Sequence, residues 1–425
     1  MARSLSVCIV GAGSSYTPEL VEGLIGQSRA GLPVASLRLT DINAERLSIM
    51  AGLAERMIRH KGSEIAVASD CRLEAMLAGA DFVIAQIRVG GMPARHLDES
   101  IPLKYGVIGQ ETTGPGGMFK ALRTIPHMID VARKVAEVCP EAFILNYTNP
   151  SGIVTEAVSR HTSARIIGLC SGMPGIQADL AGRLAGAYPD LKTYCAGLNH
   201  FGFVSRFVSG GRDVTAEAIR RLAEGFRAEG ENGTARAALI ELLQAVPIGY
   251  VNYYLHHAKA VAAAKADRRT RAKQVAELEK QLFAEAADPR TVAKPQALKH
   301  RGGGGYSEVT FAVMKAIAGD TGGEITASVP NRGCLAGIED EAVVEVTCRV
   351  GRRGAEPVEG CEIPPAVRGL VQAIKAYETL TVEAAVRRSR RLAVLALMNH
   401  PLVGDLDVVE PLLDEMLSAH GLAFD

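Results

Sequence analysis

The chain has 425 residues, 48% of them hydrophobic, and its 47 basic residues balance its 47 acidic ones. That length buries a large core and is expected to form two domains, or one domain with a long extension, which excludes a small disulfide-stapled fold. With no net charge and no dense Lys/Arg run there is no electrostatic footprint for nucleic acid or an anionic membrane, so the expected partner is a small molecule.

The first apolar run, 5–10, passes straight into Gly11. It is too short for a signal segment and well placed for a buried strand. No stretch approaches the roughly 20 apolar residues that span a bilayer, and the expected location is the cytoplasm. Eight cysteines, at positions 8, 71, 139, 170, 195, 334, 348 and 361, form no Cys-x-x-Cys pair. They read as reduced thiols, most of them small apolar packing groups.

Up to about residue 170, short β-branched runs alternate with helical patterns, the sequence form of a parallel sheet flanked by helices. The predicted strands are 7–10, 36–40, 65–68, 82–87, 143–146 and 166–169, each apolar enough for burial on both faces. The first ends in Gly11-Ala12-Gly13-Ser14-Ser15-Tyr16, a helical pattern starts at Pro18, and the second strand ends at Asp41. Gly11 and Gly13 permit a tight turn and close approach to a pyrophosphate at a helix N-terminus, with Ser14 and Ser15 completing the loop. Asp41 is placed for the adenosine ribose hydroxyls and would repel a 2′-phosphate, which favours NAD over NADP. An ordinary glycine turn beside a solvent-facing Asp is the plain alternative. Tyr16 stands where a third glycine is usual.

Beyond residue 200 the texture turns to Ala-rich helical patterns, 215–229 and 253–282. A glycine run at 302–305 interrupts them, 342–350 alternates like a strand, and 370–398 is helical again. The expected architecture is α/β: a Rossmann-type, mostly parallel sheet over 1–170, then a mainly helical α+β catalytic domain over 171–425.

Several segments in this order resemble glycoside hydrolase family 4, the NAD- and metal-dependent glycosidases, and most closely its 6-phospho-β-glucosidase branch. They are VGAGSSYTPELVEGL from Val10, IPLKYGVIGQETTGPGG from Ile101, NYTNPSG from Asn146, IIGLC ending at Cys170, GLNHFGF from Gly197 and YVNYYL from Tyr250. RGGGGYS from Arg301 and SRRLAVLALMNHPL near the C-terminus extend the likeness over nearly the whole chain. The resemblance implies glycoside cleavage by NAD-mediated oxidation at sugar C3, C2 deprotonation, elimination, water addition and re-reduction, outside the usual two-carboxylate scheme.

On this resemblance Cys170 and His200 are the ligands of a divalent metal, Mn²⁺ or similar, and Tyr250 is the base for the C2 proton. Glu111 orients substrate or assists leaving-group protonation. Asn149 contacts sugar and nicotinamide, and Arg88, Arg95 and Arg271 reach the substrate, a guanidinium being suited to a 6-phosphate. A homodimer or homotetramer is implied as well. Taken singly, each of these residues has a plainer reading: a packed thiol, a loop histidine, a core aromatic, a loop-capping carboxylate or a solvated arginine.

One segment departs from the branch pattern. The metal cysteine is typically followed there by Asn, an aliphatic residue and Pro, whereas Cys170 is followed by Ser171-Gly172-Met173-Pro174. This stretch helps set anomer and substrate preference, so a non-phosphorylated or α-linked glycoside stays an alternative. A 2-hydroxy-acid dehydrogenase and a catalytically inert NAD-binding sensor are the others, and neither accounts for Cys170, His200 and Tyr250 together.

Overall fold

The computed structural model describes residues 4–267, 269–302 and 304–425. Arg268, within the predicted helical stretch, and Gly303, within the glycine run, lie outside them. Six strands, β1 (Leu5–Val10), β2 (Val34–Thr40), β3 (Ala66–Ser69), β4 (Phe82–Ala85), β5 (Phe143–Asn146) and β6 (Arg165–Gly168), follow the predicted ones to within two residues at each end. All pair in parallel, in the order β3-β2-β1-β4-β5-β6. β4 and β5 are buried at every position, as expected of strands covered by helices on both faces.

The sequence opens each crossover in a recognisable way. Pro18 occupies the first turn of the helix Thr17–Arg29, where its missing N–H costs nothing. Asn43 caps Ala44–His60 by accepting the Arg46 N–H at 2.9 Å.

The second half of the chain contributes more strand than the sequence suggests. β7 (Lys192–Leu198) and β8 (Phe201–Ser209) form an antiparallel hairpin, extended by β9 (Arg212–Asp213) and β10 (Val246–Pro247), both paired with β8. Then β11 (Gly323–Pro330), β12 (Val343–Gly351) and β13 (Gly354–Pro357) join antiparallel to the edge of β6, so the sheet grows to nine strands. Only β12 had a sequence signal. Around these strands pack helices such as Thr215–Arg227, Tyr306–Gly319 and Leu406–His420.

The stretch predicted as helical at 253–282 is divided into Asn252–Leu255, His257–Ala266 and Arg271–Ala287, and 370–398 is broken at Arg388, whose φ is +50°. No described helix is long and apolar enough to cross a membrane.

Candidate active site

In a 3-2-1-4-5-6 sheet the chain leaves β1 and β4 in opposite directions, and the crevice outside their carboxyl ends is where such folds bind ligands. Here it opens into a cavity of about 650 Å³ lined by Gly11, Gly13, Ser14, Asp41, Arg88, Lys120 and Asn149, among others. The glycines fit a bound dinucleotide. Gly11 has φ +84°, and a Cβ on it would lie 2.8 Å from the Gln86 carbonyl oxygen; a Cβ on Gly13 would lie 2.8 Å from the Asp41 carboxylate. That carboxylate accepts the Gly13 and Asn43 N–H groups, each at 2.8 Å, which fixes it at the cavity wall.

The nearest cation, Arg46, donates to the Gly13 carbonyl, lies over the Phe283 ring and pairs with Glu279 at 3.3 Å. It is engaged within the protein, and the wall presents the Asp41 carboxylate beside it. Ser14 lines the cavity, whereas buried Ser15 turns its hydroxyl to Glu279 at 2.9 Å. Tyr16, in the place of the third glycine, also faces the cavity. Arg301 holds its hydroxyl at 2.7 Å and lies over its ring.

A second constellation forms where the end of β6 meets the β7–β8 hairpin. Cys170 follows β6, His200 sits in the two-residue turn Asn199-His200, and Cys170 Sγ lies 3.8 Å from His200 Nε2. His200 Nδ1 is tied to Thr112 Oγ1 at 2.8 Å, which aims Nε2 toward the sulfur. The histidine has φ +68°, a left-handed conformation that costs a β-carbon residue on the order of 1 kcal/mol, so its neighbours must hold it there.

Burial pushes the His200 imidazole down to about 4, keeping it neutral, and pushes the Cys170 thiol up to about 12. Against that, Gly172 N–H points at the sulfur from 3.4 Å. A Cβ at 172 would lie 3.0 Å from the Ile248 side chain and in ordinary contact with the sulfur at 3.5 Å. A thiol and a neutral imidazole this close are a donor pair for a borderline divalent ion with open positions left for substrate oxygens. Among the described residues no group of three or more His, Cys, Asp or Glu is placed to hold a metal.

Tyr250 lies in the short helix Gly249–Val251, and its ring stacks on His200, centroids 4.0 Å apart. Burial raises its phenol above the usual range, and Cys170 and Glu111 add to the effect. Glu111, one residue from Thr112, takes ion pairs from Arg88, from Arg95 at 3.1 Å and from Lys120 at 2.8 Å. Burial favours its neutral form, but these three cations win and hold the carboxyl well below its ordinary value. Arg95 is shared with Glu99 at 2.7 Å. Asn149 lines the cavity, its amide 3.4 Å from the Tyr147 carbonyl, while exposed Arg271 donates to the Arg301 carbonyl at 2.6 Å and stands apart from the cavity wall.

Three residues of this site escaped the sequence reading. Lys120, buried in the helix Gly114–Val138, is pushed down to about 7 by burial and by Arg88. Thr112 was visible only as part of a motif. Glu345 on β12 lies under the hairpin turn, accepts the Asn199 amide at 2.9 Å, and is raised by burial to about 7. Buried charges carry no sequence signal, because Lys and Glu read as surface residues.

Family 4 glycosyl hydrolase models match residues 6–185 and, for the C-terminal domain, 195–403. A probable 6-phospho-β-glucosidase of Bacillus subtilis is 39% identical, over 99% of this chain and 97% of that protein. A 6-phospho-α-glucosidase of Lacticaseibacillus paracasei is 33% identical over 98% of each. The solved 6-phospho-β-glucosidase of Thermotoga maritima with manganese, NAD⁺ and glucose-6-phosphate superposes with TM-score 0.89 at 31% identity, over 99% of each chain. With family models matching residues 6–185 and 195–403 and a relative 39% identical over 99% of the chain, this chain belongs to family 4 of the glycosyl hydrolases.

Proposed function

We propose that the protein hydrolyses 6-phospho-β-glucosides through transient oxidation of the sugar. The observation that carries this reading is the convergence of Cys170, His200 and Tyr250 in a fold whose glycine loop and Asp41 line a cavity of about 650 Å³. When bound, NAD takes up and returns a hydride, and a divalent cation at Cys170 and His200 stabilises negative charge developing on the sugar oxygens.

The chain's own residues then have the following tasks. Gly11, Gly13 and Ser14 bring backbone to the pyrophosphate, Ser15 holds that loop through Glu279, and Asp41 receives the ribose. Asn149 stands at the carboxyl end of β5, where nicotinamide and sugar meet. Tyr250 Oη would take the proton from sugar C2 as the phenolate, a form that burial disfavours and that a divalent cation held by Cys170 and His200 would favour, its ring kept in place by His200. Glu111 is a permanent carboxylate that orients Arg88, Arg95 and Lys120, and we assign it positioning rather than proton donation. Arg88 and Arg95 attract the anionic substrate, and Arg271 is the outer arginine available to a phosphate. Residues 1–170 hold the cofactor in this reading, and 171–425 complete the metal and substrate site with His200, Tyr250 and Arg271 beside Cys170, Arg88, Arg95 and Asn149 of the first part. We place the enzyme in the cytoplasm as a homodimer or homotetramer.

The segment Ser171-Gly172-Met173-Pro174 supports a second reading, cleavage of the α-linked anomer. Assays with p-nitrophenyl α- and β-glucosides, each with and without a 6-phosphate, in the presence of NAD and Mn²⁺, test both. Turnover of the β-6-phosphate is expected; turnover confined to the α-6-phosphate reverses the anomer, and turnover of unphosphorylated glycosides discards the phosphate. Steady NADH accumulation on a 2-hydroxy acid, with no glycoside turnover, would replace the whole reading by a dehydrogenase.

A further inference from the structure

We infer that Glu345 is a positioning residue of the metal site, acting through Asn199. The inference rests on the reading of Cys170 and His200 as metal ligands. The turn that carries His200 has only two residues, with Leu198 and Phe201 already paired across it. His200 holds a left-handed backbone conformation there, φ +68°, so the turn does not set its own shape and depends on what fastens it.

Three fastenings exist. Thr112 holds the imidazole through Nδ1 and Tyr250 covers its face. The third acts on the backbone side: Asn199 Nδ2 donates to Glu345 Oε1 at 2.9 Å, both residues being buried.

Among the described residues the Glu345 side chain has Asn199 as its hydrogen-bond partner. Its second oxygen, Oε2, has no hydrogen-bond partner, and Gly202 on β8 passes over it where a Cβ would lie 3.6 Å away. Buried Lys375 is occupied by Glu156 and Glu378 at 2.7 and 2.6 Å. A half-satisfied buried carboxylate weakens a fold unless its one bond matters elsewhere. Outer partners of this kind fix ligand orientation, and their loss typically lowers metal affinity about 10–100-fold.

Mn²⁺ binding, read from the free-ion electron paramagnetic resonance signal, tests this without turnover. Glu345→Ala is expected to weaken Mn²⁺ about 10–100-fold, with NAD affinity unchanged because the dinucleotide loop is remote from β12. Glu345→Gln keeps an oxygen acceptor for Asn199 and is expected to bind within about 3-fold of the parent protein. Asn199→Ala should match Glu345→Ala, and the double variant should lose no more than either, as expected for one shared interaction.

Parental Mn²⁺ affinity in Glu345→Ala would overturn the inference, as would equal losses in Glu345→Gln and Glu345→Ala, which would make the charge and not the acceptor responsible. If Glu345→Ala does not fold, unchanged affinity in Asn199→Ala overturns it alone. Absence of Mn²⁺ binding by the parent protein, or full binding by Cys170→Ala, would instead overturn the reading of the site itself.

Discussion

The imidazole of His200 and the phenol ring of Tyr250 lie stacked, 4.0 Å apart and 9° from parallel. The group assigned to the metal and the group assigned to the C2 proton therefore share one wall, and neither can shift without the other. Tyr250→Phe keeps the stack and removes only the hydroxyl. The expected result is a loss of about 10²–10⁴ in kcat, the usual worth of a positioned acid or base, with little change in Mn²⁺ affinity. Unchanged turnover would remove Tyr250 from the role of base.

Metal binding should depend on pH in one direction. Burial holds the Cys170 thiol protonated, up to about 12, and the His200 imidazole neutral, down to about 4. A thiolate ligand must shed its proton whereas the histidine has none to lose, so Mn²⁺ affinity should rise with pH between 6 and 8, by about tenfold per unit. Titration calorimetry in buffers of different ionisation enthalpy should find about one proton released per ion. No release would mean that Cys170 is not a ligand.

Glu111 stands among three cations, and its folded pKa is depressed well below the ordinary value. Its stabilising contribution is thus present above the unfolded value of about 4.3 and is lost only as the pH falls through the lower folded value. Glu111→Gln leaves Arg88, Arg95 and Lys120 without their shared partner, at an expected cost of about 3–5 kcal/mol in denaturant unfolding at pH 7. The gap between parent and variant should widen as the pH falls from 8 to 5, because Lys120, held near 7 in the parent, loses in the variant the carboxylate that favours its charged form. A gap that narrows near neutrality would show Glu111 titrating there, as a proton donor would.

These residues also show what the sequence made legible. β1, β4 and β5 were readable because strands covered on both faces are unbroken apolar runs, whereas β3, expected to be buried on both faces, is an exposed edge strand; Asp41 was readable because its place after β2 follows from the fold. β11 and the β7–β8 hairpin were not, since Gly323–Pro330 and Lys192–Leu198 mix polar with apolar positions. Cys170, His200 and Tyr250 were named from motifs, but their mutual contact follows only from the sheet extension that brings β7 and β8 over the end of β6. Lys120 and Glu345 gave no signal, because nothing local distinguishes a buried charge from a solvated one.

Asp41 provides a check on cofactor choice. Asp41→Ala removes the ribose acceptor and frees the Gly13 N–H, so NAD should bind about tenfold more weakly, roughly 1.4 kcal/mol. NADP should gain relative to NAD in the same titration, since the carboxylate that repels a 2′-phosphate is gone. An unaltered NAD/NADP ratio would contradict the assignment.

The central claim is that glycoside cleavage passes through loss of the sugar C2 proton. Turnover of the 6-phospho-β-glucoside in D₂O, with the product sugar examined by mass spectrometry and proton NMR, tests it most directly. The account predicts one solvent deuterium at C2 of the product, formed only when NAD and Mn²⁺ are both present and without net NADH. Full hydrolysis with C2 still carrying its original proton would contradict it and return the enzyme to direct acid and base cleavage.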